Sequence, residues 1–219
     1  MRDNQAPKPV RRLDYRPPAF LVDRVALDID IHDGFTRVTS RLALRRNAAA
    51  DSADCELDGE GLTLEQLSID GKGLLPHAYR YEQDKLTLFS VPDHFVLESV
   101  VVIDPASNTA LEGLYVSNGM YCTQCEAEGF RRITFFPDRP DVLSRFTTTV
   151  RADKTRFPLL LSNGNPVSQG EEGGRHWVTW EDPFAKPCYL FALVAGDLAC
   201  LEDGFTTMSG RRVALRGAA

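Results

Sequence analysis

The chain has 219 residues, 43% of them hydrophobic and 26% charged, with a formal net charge of −6. That balance excludes bulk disorder and argues against a sequence-independent nucleic-acid binder, which needs a basic surface. At this length a fold buries about 70% of its unfolded surface, so a core can form without metal or disulfide staples, and no apolar run approaches the roughly 20 residues that span a bilayer.

The first 18 residues, MRDNQAPKPVRRLDYRPP, are basic and Pro-rich without an apolar stretch. They read as an extended N-terminal segment (1–18) rather than a secretory signal. From there the hydrophobic period is two. Val25, Leu27, Ile29 and Ile31 alternate with polar or small residues up to Asp33-Gly34, and Val38, Ser40, Leu42 and Leu44 alternate after it. Two half-buried strands around a DG turn predict a β-hairpin. The span from Asp51 to Glu60 carries five acidic residues and reads as a solvated stretch.

Alternation returns at Leu62 to Ile69, closed by Asp70-Gly71, and Tyr79–Tyr81 and Lys85–Val91 flank a polar turn at Glu82-Gln83-Asp84. Leu97 to Ile103, Phe146 to Ala152, Leu159 to Ser162, Arg175 to Trp180 and Tyr189 to Val194 follow as strand-like runs. Phe205–Thr207 and Arg211–Leu215 form a last hairpin around Met208-Ser209-Gly210. About a dozen short strands with regular turn signals predict an all-β sandwich or distorted barrel. One helix is expected, from Arg139 to about Phe146, with Asp138 as N-cap and Pro140 in the first turn. A domain over 19–204 is followed by 205–219, which ends on a hairpin strand and reads as the start of a connection to something further on.

No complete catalytic centre can be assembled by motif. The four histidines, His32, His77, His94 and His176, show no paired metal spacing, and neither a nucleophile elbow nor a phosphate loop is present. Cys122 and Cys125 form a CxxC. A structural zinc site wants a second ligand pair and a redox pair wants a βαβ setting, so these cysteines read as small buried hydrophobes. An odd count of five cysteines without a signal peptide points to reduced thiols in the cytoplasm. Trp177 and Trp180 are three apart on a strand and face opposite sides, as packing residues do.

Gln124, Glu126 and Glu128 would share one face if their segment were a strand. The face is either solvated or aimed into a cleft, where a carboxylate and an amide would hold a cation such as an α-ammonium. Arg131, Arg132, Asp138 and Arg139 lie near enough in sequence to orient the acids.

Several long segments carry a resemblance. They are Ala110–Tyr115 (ALEGLY), Cys122–Arg131 (CTQCEAEGFR), Asp138–Leu143 (DRPDVL), Leu160–Asn165 (LLSNGN), and Trp180–Phe184 (WEDPF) continuing to Lys186–Gly196 (KPCYLFALVAG). In this order they resemble the N-terminal domain of the bacterial aminopeptidase N family of zinc exopeptidases, and the β pattern of the first hundred residues agrees.

The resemblance implies a saddle-shaped, multi-sheet all-β domain with one short helix, packed on a thermolysin-like catalytic domain of the same polypeptide. That second domain would hold the zinc ligands, the HExxH general base and the GxMEN motif, so no catalytic residue and no metal ligand is expected in this chain, and the chain alone should be inactive. By the same resemblance Glu126 is the acid that anchors the α-ammonium of a peptide substrate, and Gln124 lines the pocket for its first side chain. A freestanding β-sandwich module binding protein or carbohydrate is the alternative.

Overall fold

A computed structural model describes residues 11–218 apart from Asp51 and Ala53. Most of the expected N-terminal segment, residues 1–10, lies outside the described residues; of the remainder, Arg12–Asp14 is a single 3-10 turn.

In chain order the strands begin with β1 (Phe20–His32), β2 (Phe35–Arg46), β3 (Cys55–Asp58), β4 (Thr63–Ile69), β5 (Lys72–Gly73), β6 (Tyr79–Glu82), β7 (Lys85–Leu88) and β8 (His94–Ile103). They continue with β9 (Gly113–Ser117), β10 (Met120–Gln124), β11 (Leu143–Asp153), β12 (Leu159–Ser162), β13 (Asn165–Glu172), β14 (Arg175–Pro187), β15 (Leu193–Gly196), β16 (Cys200–Thr206) and β17 (Arg212–Ala218). The all-β expectation is met.

Eight strands form one sheet in the order β13-β14-β11-β1-β2-β8-β4-β5. Its centre is the predicted hairpin: β1 and β2 pair antiparallel from Phe20↔Arg46 to His32↔Phe35. β11 lies parallel to β1, with Val25 opposite Phe146 and Ile29 opposite Val150. A parallel neighbour cannot be reached by a tight turn, and the long excursion between them holds the three-stranded sheet β3-β7-β6 and strands β9 and β10 of the four-stranded sheet β12-β15-β10-β9.

Alternation puts Val25, Leu27, Ile29 and Ile31 of β1, Val38 and Leu42 of β2, and Phe95, Leu97 and Val101 of β8 into the core. Each such burial contributes roughly 1.5–3 kcal/mol. The same core takes Leu57, Leu86 and Leu88 from the three-stranded sheet and Leu114, Tyr121, Leu160 and Leu193 from the four-stranded one. Of the polar residues on this face, the Ser40 and Ser99 hydroxyls bond each other at 2.8 Å and Ser144 Oγ donates to the Val22 carbonyl at 2.6 Å, whereas the buried Thr36 hydroxyl has no partner among the described residues.

Two sequence expectations are corrected here. The helix over Arg139 to Phe146 is absent: residues 139–142 form a turn and β11 begins at Leu143. The Asp138 carboxylate does not cap a helix because it is buried against Arg131 and Cys188, and the β-branched run Thr147–Val150 favours strand. Helical backbone is confined to three 3-10 turns among the described residues. The acidic span from Asp51 to Glu60 is not simply solvated either. It contains β3, whose Cys55, Leu57 and Asp58 are buried, with Asp58 bridged to Phe136 by backbone hydrogen bonds; Asp51 lies outside the described residues.

β16 and β17 pair only with each other, from Cys200↔Ala218 to Thr206↔Arg212. Every residue of β16 is exposed. The strand spans position 204/205, where the sequence suggested a boundary.

Candidate functional site

The segment holding Gln124 and Glu126 is strand only as far as Gln124. β10 pairs with β9, Gln124 opposite Gly113, and then the chain leaves the sheet in a turn closed by Gly129 N–H donating to the Cys125 carbonyl at 2.9 Å. The Gln124, Glu126 and Glu128 side chains are all exposed, but through this turn rather than through strand alternation. The Glu126–Ala127 peptide bond is cis.

Both ends of the loop are fixed from below. Cys125 and Phe130 are buried, and the Phe130 ring meets Phe136, Phe146 and Phe191 with centroids 5.1–5.9 Å apart. Gly129 lies backbone to backbone on Gln124 and Gly113: a Cβ there would fall 2.3 Å from the Gln124 carbonyl oxygen and 2.8 Å from the Gly113 nitrogen. Gly113 itself has φ +72°, a conformation glycine adopts without cost.

Asp138 is the polar anchor. Its side chain is 1% exposed. Oδ2 accepts from the Arg131 backbone N–H at 3.1 Å and from Arg131 Nε at 3.0 Å, and Oδ1 accepts from Cys188 Sγ at 3.0 Å. Asp138 N–H in turn donates to Asp58 Oδ2 at 3.1 Å. From this clamp the Arg131 guanidinium reaches Glu128 Oε2 at 3.3 Å. Burial pulls the Arg131 pKa down, but the hydrogen bond to Asp138 and the charges of Asp58, Asp138 and Glu128 outweigh it and hold it above its ordinary value.

Of the basic residues expected to orient Glu126 and Glu128, only Arg131 reaches one of them, Glu128. Arg132 pairs with Glu60 at 2.6 Å and Glu112 at 3.5 Å, and Arg139 with Asp141 at 2.7 Å. Among the described residues no cation pairs with the Glu126 carboxylate. What the structure does join is Gln124 to Glu126: Gln124 Nε2 donates to the Glu126 backbone carbonyl at 3.0 Å.

Neither half of the CxxC is disposed for chemistry. Cys125 is buried and its thiol is pushed up to about 12 by desolvation and by the Asp138 charge. Cys122 is partly buried and hydrogen-bonds Tyr115, whose hydroxyl it holds above its ordinary pKa. All five cysteines are free. Among the described residues no three His, Cys, Asp or Glu side chains lie close enough together to hold a metal ion, so these residues do not fit a zinc centre. Trp177 and Trp180 are both partly buried on β14, and Arg151 lies over the Trp177 ring at 5.5 Å. No described helix is long and apolar enough to cross a membrane.

The part of the site that sequence reasoning missed is the pairing. Arg131, Asp138 and Glu128 were singled out, but the contact of Arg131 with Glu128 rather than Glu126, and the buried partners Cys188 and Asp58, were not. The glycines at 113 and 129 were the available signal, since two glycines bracketing a polar loop mark a close backbone approach.

The structure is an all-β body with an exposed acidic loop pinned at both ends. Residues 98–190 match the Peptidase M1 N-terminal domain. The chain is 54% identical to aminopeptidase N of Caulobacter vibrioides over 211 residues, which are 96% of this chain and 24% of that protein. It is 51% identical to aminopeptidase N of Escherichia coli with the same two coverages. The crystal structure of Legionella pneumophila aminopeptidase A in complex with aspartic acid superposes with a TM-score of 0.89 at 36% identity, over 94% of this chain and 25% of that one. The chain belongs to the M1 peptidase N-terminal domain family, and it spans about a quarter of the length of the curated relatives it matches.

Proposed function

We propose that this chain is the substrate-registering N-terminal domain of a zinc-dependent aminopeptidase, which releases N-terminal amino acids from peptides. In this reading Glu126 binds the free α-ammonium and Gln124 borders the first side chain. The observation that carries it is the Glu126 carboxylate: exposed, without a cationic partner among the described residues, and presented by a loop whose two ends are held in the core.

An exopeptidase has to fix the distance from the amino end to the first peptide bond, and a charge-assisted bond to the ammonium sets that distance. A peptide with a blocked amine would leave the carboxylate desolvated and unpaired, which gives specificity for free amino termini. The hydrogen bond from Gln124 to the Glu126 carbonyl holds its amide beside the anchor. Zinc, the remaining chemistry and its ligands are assigned to a catalytic domain on the same polypeptide, and the five free thiols favour the cytoplasm.

The test is Glu126→Gln in the complete enzyme. Loss of the charge should lower kcat/KM on an amino-acid anilide on the order of 10²-fold, about 3 kcal/mol. An unchanged kcat/KM sinks the anchoring role. The present chain alone, supplied with zinc, should give no turnover on the same substrate.

A further inference from the structure

Glu126 and Glu128 stand two residues apart on one exposed loop, and two equivalent carboxylates would make a poor ruler. Two residues span up to about 7 Å. A peptide whose ammonium settled on the wrong acid would carry its first peptide bond away from the reacting position, and misplacements as small as ~1 Å already cost about 10²-fold. The structure treats the two acids unequally. Arg131 contacts Glu128 at 3.3 Å and leaves Glu126 without a cation. The guanidinium is itself immobilised by the buried Asp138, through Nε to Oδ2 at 3.0 Å and Nη2 to the backbone oxygen at 3.3 Å.

We infer that Arg131 is a positioning residue that neutralises Glu128, so that an incoming ammonium meets a single free acid. The inference rests on the anchoring role of Glu126 and adds to it the element that makes that role unambiguous. Lysine cannot reproduce it: an ammonium drawn to the buried Asp138 has no second arm for Glu128.

The experiment uses three variants of the complete enzyme with a free-amine anilide substrate. Arg131→Lys keeps the buried charge balanced but frees Glu128, opening a non-productive binding mode. The kcat and KM values should then fall together, by about fivefold, with kcat/KM within about twofold of the parent. Adding Glu128→Gln to Arg131→Lys should restore both constants. Glu128→Gln alone, at a side chain 68% exposed, should leave both within about twofold; this arm remains readable if Arg131→Lys does not fold.

A rise in KM with a tenfold loss of kcat/KM that Glu128→Gln does not rescue would make Arg131 merely structural. Unchanged constants in Arg131→Lys, or a tenfold loss in Glu128→Gln alone, equally overturn the inference. The parent reading fails separately, through an inert Glu126→Gln.

Discussion

The loop from Cys125 to Arg132 and the hairpin from Cys200 to Ala218 both push polar side chains into solvent, yet they are built on opposite principles. The loop has little ladder hydrogen bonding of its own. It is held by buried Cys125 and Phe130, by the Gly129–Gly113 contact and by the Arg131–Asp138 clamp. The hairpin has a complete ladder of seven paired positions, but Leu201, Phe205 and Leu215 remain exposed and none of its residues enters the core. An isolated two-stranded ribbon is marginal in water, and regions with few buried apolar contacts open first. Local regularity therefore does not measure rigidity. The irregular segment is the one suited to hold a charge in place.

Substitutions sharpen that contrast, beginning with the ring under the loop. Phe130→Ala removes a fully buried side chain from a cluster of three other phenylalanines and should cost about 3–5 kcal/mol in denaturant unfolding. Leu201→Ser in the hairpin should stay within about 0.5 kcal/mol. Comparable costs would mean that the hairpin is as well anchored as the loop.

Alkali offers a second route. The Cys125 thiol rises from an ordinary 9.0 to about 12 in the fold. The folded state therefore keeps the proton after the unfolded chain has lost it, so this contribution is intact below about pH 9 and lost progressively up to about pH 12. At about pH 10.5 it amounts to roughly 2 kcal/mol. Cys125→Ala should lose less stability than the parent between pH 8.5 and 10.5, and parallel pH curves would contradict the assignment. Cys200, exposed on the hairpin, should alkylate in the native protein under conditions where Cys125 reacts only after unfolding.

Gly129→Ala is expected to cost about 2 kcal/mol, because the added methyl meets backbone on three sides. In the complete enzyme it should also lower kcat/KM by moving Glu126. Stability and kinetics at parental values would show that the loop can shift without consequence. The smallest effect is expected from amide exchange: hairpin amides should exchange well before those of Phe130 and Ile133, which lie in the fully buried underside of the loop.

Much of the sheet architecture was legible because one buried face imposes a period of two. The β1–β2 hairpin with its Asp33-Gly34 turn, the β6–β7 pair and the last hairpin all stand where alternation and turn residues put them. The helix expected at Arg139 failed for a physical reason: a cap signal is local, whereas the Asp138 carboxylate was claimed by Arg131 and by Cys188 from fifty residues away. β9, β10 and β13 were not separately legible. β13 is exposed along most of its length, so it carries no alternation to read.

At the candidate site, residue types and order were enough to single out Gln124 and Glu126, through a resemblance rather than through periodicity. Which acid is free and which is paired was not in the order of residues. Glu126 and Glu128 are the same side chain two positions apart, and only the burial of Asp138 fixes the Arg131 guanidinium on the Glu128 side. The linear chain determined an all-β body, because hydrophobic period and turn chemistry act over a few residues, and it marked a run of acids after Gln124 without showing that the run leaves the sheet in a turn. The tertiary structure decided the charge of each acid's surroundings, because ion pairing depends on distances between segments that the chain brings together only when folded.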